Sequence, residues 1–183
     1  MKIVCLGDSL TEGYEIKQAS RWTDLIKNEL KIDIVNAGIS GDTTAGMLSR
    51  CEQLLLKEKP THVIILGGTN DLWFGLNDEL ILANIHAISR MCRFYKAEAI
   101  IGIITPSVNL TELNIIGENY SECIRTFRTS LINYCKLENG LYIDFSEQIT
   151  SDHMLADGVH PNSSGHELMK KNVLNFLNKA QLY

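Results

Sequence analysis

No stretch of this chain approaches the roughly 18 consecutive apolar residues that a membrane-spanning helix needs, so stable insertion into a bilayer is not expected. Blocks of like charge are also missing. With 17 basic and 22 acidic residues and a net charge of −5, the chain offers nothing for a nucleic acid or an anionic membrane to hold. There is no Cys-x-x-Cys pair, and five cysteines leave an odd one out, which fits reduced thiols better than a disulfide framework. No phosphate-binding loop ending Gly-Lys-Ser/Thr occurs. His153, His160 and His166 lie near Asp152 and Asp157, but their spacings do not place two histidines on one helical face, and no metal is expected. Repeats, low-complexity stretches and linkers are absent, so the 183 residues predict one domain over 1–183. Met1-Lys2 leads straight into an apolar run; this leaves no room for a secretory leader and makes the cytoplasm the expected compartment. Nothing in the sequence fixes an oligomeric state.

What is present is an alternation of short β-branched runs with longer amphipathic segments. The runs predict strands at 2–6, 32–36, 61–67, 98–105 and 141–145. The first, third and fourth are almost wholly apolar, the pattern of strands covered on both faces. Between and after them, helices are predicted at 19–30, 44–58, 78–96, 118–138 and 162–179. Two start signals compete for the last helix, a Ser164/Glu167 capping box and Pro161 at its first turn. Such βα units predict a five-stranded parallel sheet wound by right-handed crossovers, with helices on both faces. All strand C-termini then share one edge, where ligands bind.

Four segments that carry chemistry follow predicted strands. Gly7-Asp8-Ser9-Leu10-Thr11-Glu12-Gly13 places a serine on a tight turn at the exit of the first strand, where its hydroxyl is a candidate nucleophile. A serine hydroxyl needs an imidazole to take its proton. Asp157-Gly158-Val159-His160-Pro161, after the last strand, supplies that imidazole together with a carboxylate able to orient it. Pro161 biases His160 toward an extended backbone, which lets the ring project from a loop. Acyl transfer also needs donors for the tetrahedral oxyanion. Asn36-Ala37-Gly38-Ile39-Ser40-Gly41 offers glycine N–H groups after the second strand, and Gly67-Gly68-Thr69-Asn70-Asp71 offers a side-chain amide after the third. Asp8 and Asp71 are expected to hold turn backbone, His153 and His166 to be solvated or to support the site, and His62 and His86 to be structural.

With these four blocks in this order, the chain resembles the GDSL or SGNH hydrolases, serine esterases and lipases named for the Ser, Gly, Asn and His of their site. The resemblance implies a flavodoxin-like three-layer α/β/α fold. It also implies Ser9 as nucleophile, His160 as base and then acid, and Asp157 as orienting carboxylate. The oxyanion donors it implies are the backbone N–H groups of Ser9 and Gly38 and the side chain of Asn70, with no cofactor. The Gly-x-Ser-x-Gly elbow of the α/β-hydrolases is absent. The predicted reaction is hydrolysis of a small-molecule acyl ester or thioester, of lysophospholipase or thioesterase type, through an acyl-enzyme. A carbohydrate O-deacetylase using the same site is one alternative. The other is a module that binds a nucleotide or flavin phosphate on the glycine-rich loops without catalysis. Leu72-Trp73-Phe74-Gly75 and the segment 106–117, with Val108, Leu110, Leu113, Ile115 and Ile116, are placed to line an acyl groove, form a lid, cover the sheet edge or pack at a subunit contact.

Overall fold

Five β-branched segments form the strands β1 (Lys2–Gly7), β2 (Asp33–Gly38), β3 (His62–Leu66), β4 (Glu98–Ile103) and β5 (Leu141–Asp144) in a computed structural model that describes residues 1–182. All neighbouring pairs are parallel and the order is β2-β1-β3-β4-β5. The chain therefore leaves β1 in one direction to reach β2, then returns past it to β3. That reversal is a topological switch point, the crevice in which doubly wound sheets bind ligands. In register, Gly7 pairs with both Gly38 and Leu66, so the segments following β1, β2 and β3 emerge side by side.

Among the described residues seven α-helices connect or follow these strands. They are α1 (Ser9–Glu12), α2 (Trp22–Leu30), α3 (Thr44–Glu58), α4 (Thr69–Trp73), α5 (Asp78–Phe94), α6 (Tyr120–Leu137) and α7 (Ser163–Lys179). α2 packs with α7 on one face, while α3, α5 and α6 form the other, giving three layers. Between the layers lie the fully buried Ile3, Leu6, Ile64, Ile65 and Leu66 of the central strands. The expected strands and long helices are all found, with ends shifted by a few residues. α1 and α4 are additions to the expected set. Four and five residues are too few to show a 3.6-residue period, and both stretches read as turns.

The start of α7 corrects both signals. Its N-cap is Asn162, whose side chain accepts from the N–H groups of Ser164 and Gly165; a short amide one residue after the proline outcompetes the Ser164/Glu167 box. His166, one turn further on, is buried and not solvated. Its Nδ1 accepts the backbone N–H of Trp22 at 3.1 Å, and the Trp22 indole donates to the Leu10 carbonyl at 3.0 Å. α7, α2 and the turn that carries Ser9 are thereby tied together through the core.

Burial, with Arg21 nearby, pushes the His166 imidazole down to about 4 from 6.5. The unfolded chain takes up this proton below pH 6.5, whereas the folded protein resists it until about pH 4, so His166 makes stability fall with acid across that window. Between pH 7 and pH 4.5 the protein should lose about 2–3 kcal/mol more stability than His166→Asn, which keeps an acceptor for Trp22 but cannot titrate. Urea unfolding of both proteins at the two pH values checks this. Taking the difference removes groups that titrate in both.

Candidate active site

Ser9 is the first residue of α1, directly after the N-cap Asp8, whose Oδ1 accepts the Leu10 N–H at 2.9 Å. This start fixes the Ser9 backbone at the rim of the sheet, with the residue 7% exposed. Its hydroxyl lies 2.9 Å from His160 Nε2. On the other side of the ring, His160 Nδ1 is 2.7 Å from Asp157 Oδ2. The three groups, drawn from the two ends of the chain, form one continuous hydrogen-bonded line.

The loop carrying Asp157 and His160 is internally braced. Leu155 N–H donates to the His160 carbonyl at 2.7 Å, and Gly158 N–H donates to the Leu155 carbonyl at 3.1 Å. Asp157 Oδ1 accepts the N–H groups of Val159 and His160 at 2.9 and 3.0 Å. Burial pushes the Asp157 carboxyl up, but these backbone donors and the imidazole outweigh it and hold the group below its usual range. It stays ionised, as orienting an imidazole requires. Tyr14, just past α1, lies against the His160 ring with centroids 4.5 Å apart and planes tilted by 38°. Nothing in the sequence pattern flagged Tyr14, because the contact exists only once the two chain ends meet.

Asn70 sits in the first turn of α4, and its Nδ2 donates to the Asp42 carbonyl at 2.9 Å. The adjacent Asp71, expected to hold its own turn, is used on another segment. Its carboxylate accepts the Thr44 N–H at 2.9 and 3.1 Å and the Thr44 hydroxyl at 2.5 Å, pinning the start of α3 to α4. Asp8 is fully buried, and this, with Asp71 and Asp42 nearby, pushes its carboxyl up to about 7 despite the Leu10 N–H.

Gly38 does not join the convergence as expected. Its N–H donates to Asn36 Oδ1 at 3.0 Å, and a Cβ there would meet the Glu12 backbone nitrogen at 2.1 Å. Gly38 is thus the place where β2 lets α1 approach, and its donor is already committed. The turn that follows is different. Ile39 N–H donates to the Gly7 carbonyl at 3.0 Å, Asp42 N–H to the Ile39 carbonyl at 3.1 Å, and Ser40 N–H to Glu12 Oε2 at 2.6 Å. Gly41, at φ +80° with open space around it, alone in this turn donates its N–H to no protein acceptor among the described residues. Ser9 N–H is likewise uncommitted. Glycine in the block Asn36 to Gly41 was the signal; which glycine presents its donor is set by the hydrogen bonds of the folded turn.

Across the rim, the segment after β4 bridges the two halves of the site. Val108 N–H donates to the Gly158 carbonyl at 2.8 Å and Ile115 N–H to the Trp73 carbonyl at 3.1 Å. Asn114 anchors it further through the Leu72 carbonyl. Phe74, Leu113, Ile115 and Ile116 are about half exposed on this segment and its neighbour. His153 is used locally, its Nδ1 accepting the Thr150 N–H at 3.1 Å. Among the described residues no group of three His, Cys, Asp or Glu side chains is arranged to hold a metal ion, and no helix is long and apolar enough to cross a membrane.

Residues 5–168 match the model of the GDSL-like lipase/acylhydrolase family. The chain belongs to this family. It is 28% identical over 167 residues to an arylesterase of Vibrio mimicus, covering 87% of this chain and 80% of the relative. Against esterase TesA of Pseudomonas aeruginosa the identity is 27% over 180 residues, covering 93% and 85%. Among solved structures, the psychrotrophic esterase EstA from Pseudoalteromonas sp., inhibited by monoethylphosphonate, superposes with a TM-score of 0.81 at 27% identity, covering 100% of this chain and 99% of that one. The chain is therefore a serine hydrolase that acts on ester bonds through an acyl-enzyme, with a GDSL-type α/β/α fold. Family membership sets aside the non-catalytic nucleotide or flavin module.

Proposed function

We propose that Ser9 is the nucleophile, His160 the general base and then acid, and Asp157 the carboxylate that holds the imidazole in hydrolysis of a small or medium acyl ester or thioester. One observation carries this reading: the unbroken line from Ser9 Oγ to His160 Nε2 at 2.9 Å and from His160 Nδ1 to Asp157 Oδ2 at 2.7 Å. Ser9 Oγ attacks the acyl carbon while its proton passes to Nε2, and the imidazolium so formed is stabilised by Asp157. The carbonyl oxygen becomes an oxyanion facing the N–H groups of Ser9 and Gly41 and the Asn70 amide, with Gly41 taking the part first given to Gly38. As the tetrahedral intermediate collapses, Nε2 returns the proton to the departing alkoxide or thiolate. Water then repeats the sequence on the acyl-serine.

The apolar side chains exposed along the bridging segment favour an acyl chain over a sugar as the group bound at the rim. The five free thiols, four of them buried, fit a reducing compartment, and we place the protein in the cytoplasm. The test of the reading is labelling with a fluorophosphonate followed by mass spectrometry, together with an ester and thioester panel across chain lengths that includes acetylated sugars. The adduct should fall on Ser9 and kcat/KM should favour apolar acyl groups. An adduct elsewhere removes the nucleophile assignment, and a preference for acetylated sugars removes the substrate class.

Asn70→Ala should lower kcat by about 10²–10³ with little change in KM, because the amide meets full negative charge only in the transition state. Steady-state kinetics on p-nitrophenyl acetate decide it. A change in KM alone would place Asn70 in ground-state binding.

A further inference from the structure

Arg50 lies on α3, away from the reacting atoms, yet its guanidinium reaches three separate pieces of the rim. Nε donates to Asp42 Oδ2 at 2.8 Å, Nη1 to the Ala37 carbonyl at 2.7 Å and Nη2 to the Gly7 carbonyl at 2.9 Å. Ala37 and Gly7 stand at the ends of β2 and β1, and Gly7 is two residues before Ser9. Asp42 closes the turn that contains Gly41, and its carbonyl holds the Asn70 amide. A single planar cation therefore fixes the strand end that carries the nucleophile and the turn that presents the oxyanion donors. The side chains of Arg50 and Asp42 are 23% and 12% exposed, so water does little to replace either partner. α3 also makes room for the contact: a Cβ on Gly46 would lie 1.8 Å from Asp42 Oδ1.

Resting on the esterase reading above, we infer that Arg50 is a positioning residue of the oxyanion site, acting through the Asp42 carboxylate to set the Asn70 amide and the Gly41 N–H. The guanidinium's fixed fork can meet three acceptors in three directions at once. An ammonium also has three N–H donors, but all on one atom, and it cannot span acceptors matched to three separate guanidinium nitrogens. Misplacing catalytic groups by about 1 Å costs on the order of 10²-fold in rate. The loss falls on kcat, because these donors matter most when charge has developed on the substrate oxygen.

The decisive experiment is a double-mutant cycle on p-nitrophenyl acetate with Arg50→Lys and Asn70→Ala. Arg50→Lys should lower kcat by about 10- to 100-fold at unchanged KM. In the Asn70→Ala background the same substitution should cost several-fold less, because the amide it positions is gone and only the Gly41 N–H is left to misplace. Gly46→Ala gives a second route should Arg50→Lys fail to fold. The added methyl meets only the end of a flexible carboxylate and raises helix propensity, so the variant should fold while turning Asp42 away and lowering kcat. Unchanged kcat in Arg50→Lys, or in Gly46→Ala where that variant decides, or equal losses from Arg50→Lys in both backgrounds, overturns the inference while leaving the esterase reading intact. Undiminished activity of Asn70→Ala together with an unlabelled Ser9 would overturn both.

Discussion

Ser9→Ala should abolish turnover of p-nitrophenyl acetate, a loss of about 10⁵–10⁶ in kcat, while leaving thermal unfolding within a few degrees of the unmutated protein. The two halves of this expectation have separate physical origins. Among the described residues the hydroxyl's one protein partner is the His160 ring nitrogen, so removing it deletes the proposed nucleophile and leaves the imidazole to water at a partly exposed rim. The backbone of α1 does not depend on that hydroxyl. Asp8 caps the helix through the Leu10 N–H, the Trp22 indole holds the Leu10 carbonyl, and alanine is at least as good as serine in a first helical turn. Hydrolysis assays alongside circular-dichroism melting read both quantities from one preparation. Retained activity with an intact fold would mean that another side chain attacks the ester.

Much of this architecture can be read from the amino acids because burial writes itself into strand composition. β1, β3 and β4 are covered on both faces and appear as apolar runs, and each motif follows a strand closely enough to be carried to the same edge. The apolar stripe of α7 was equally visible. His166 precedes Met169, Val173 and Leu177 at helical spacing, and the structure buries all four. Of the two readings of that histidine, solvated or supporting the site, burial removes the first, and its bond to the Trp22 N–H fits the second. Other features have no local signature. Gly38 and Gly41 are alike as residues, and what separates them as donors is that one N–H is committed and the other has no acceptor among the described residues. Tyr14 meets His160 from the other end of the chain and Arg50 reaches Gly7 across 43 residues, where neither periodicity nor motif spacing points. The short helices α1 and α4 are set by caps and tertiary contacts, since so few residues cannot sustain a helix by propensity.

Asp157→Asn should lower kcat by about 10⁴, and should do so more severely than Asp157→Ala. The carboxylate serves two masters, accepting the N–H groups of Val159 and His160 on Oδ1 and facing the His160 Nδ1 on Oδ2. An asparagine keeps the first set of bonds only by placing its carbonyl oxygen toward those two backbone donors. Its NH₂ then faces Nδ1, which must become an acceptor, and the ring proton moves to Nε2. That nitrogen, 2.9 Å from the Ser9 hydroxyl, would then present a hydrogen where the reaction needs a lone pair. Alanine frees the backbone donors to solvent at a side chain that is 40% exposed, so the loop loses some definition while the imidazole keeps access to its productive tautomer. Steady-state rates of the two variants give the ranking, and ¹⁵N chemical shifts of the His160 ring report the tautomer directly. If Asp157→Ala is the more damaging of the two, the carboxylate's main work lies in bracing the loop, and the tautomer argument falls.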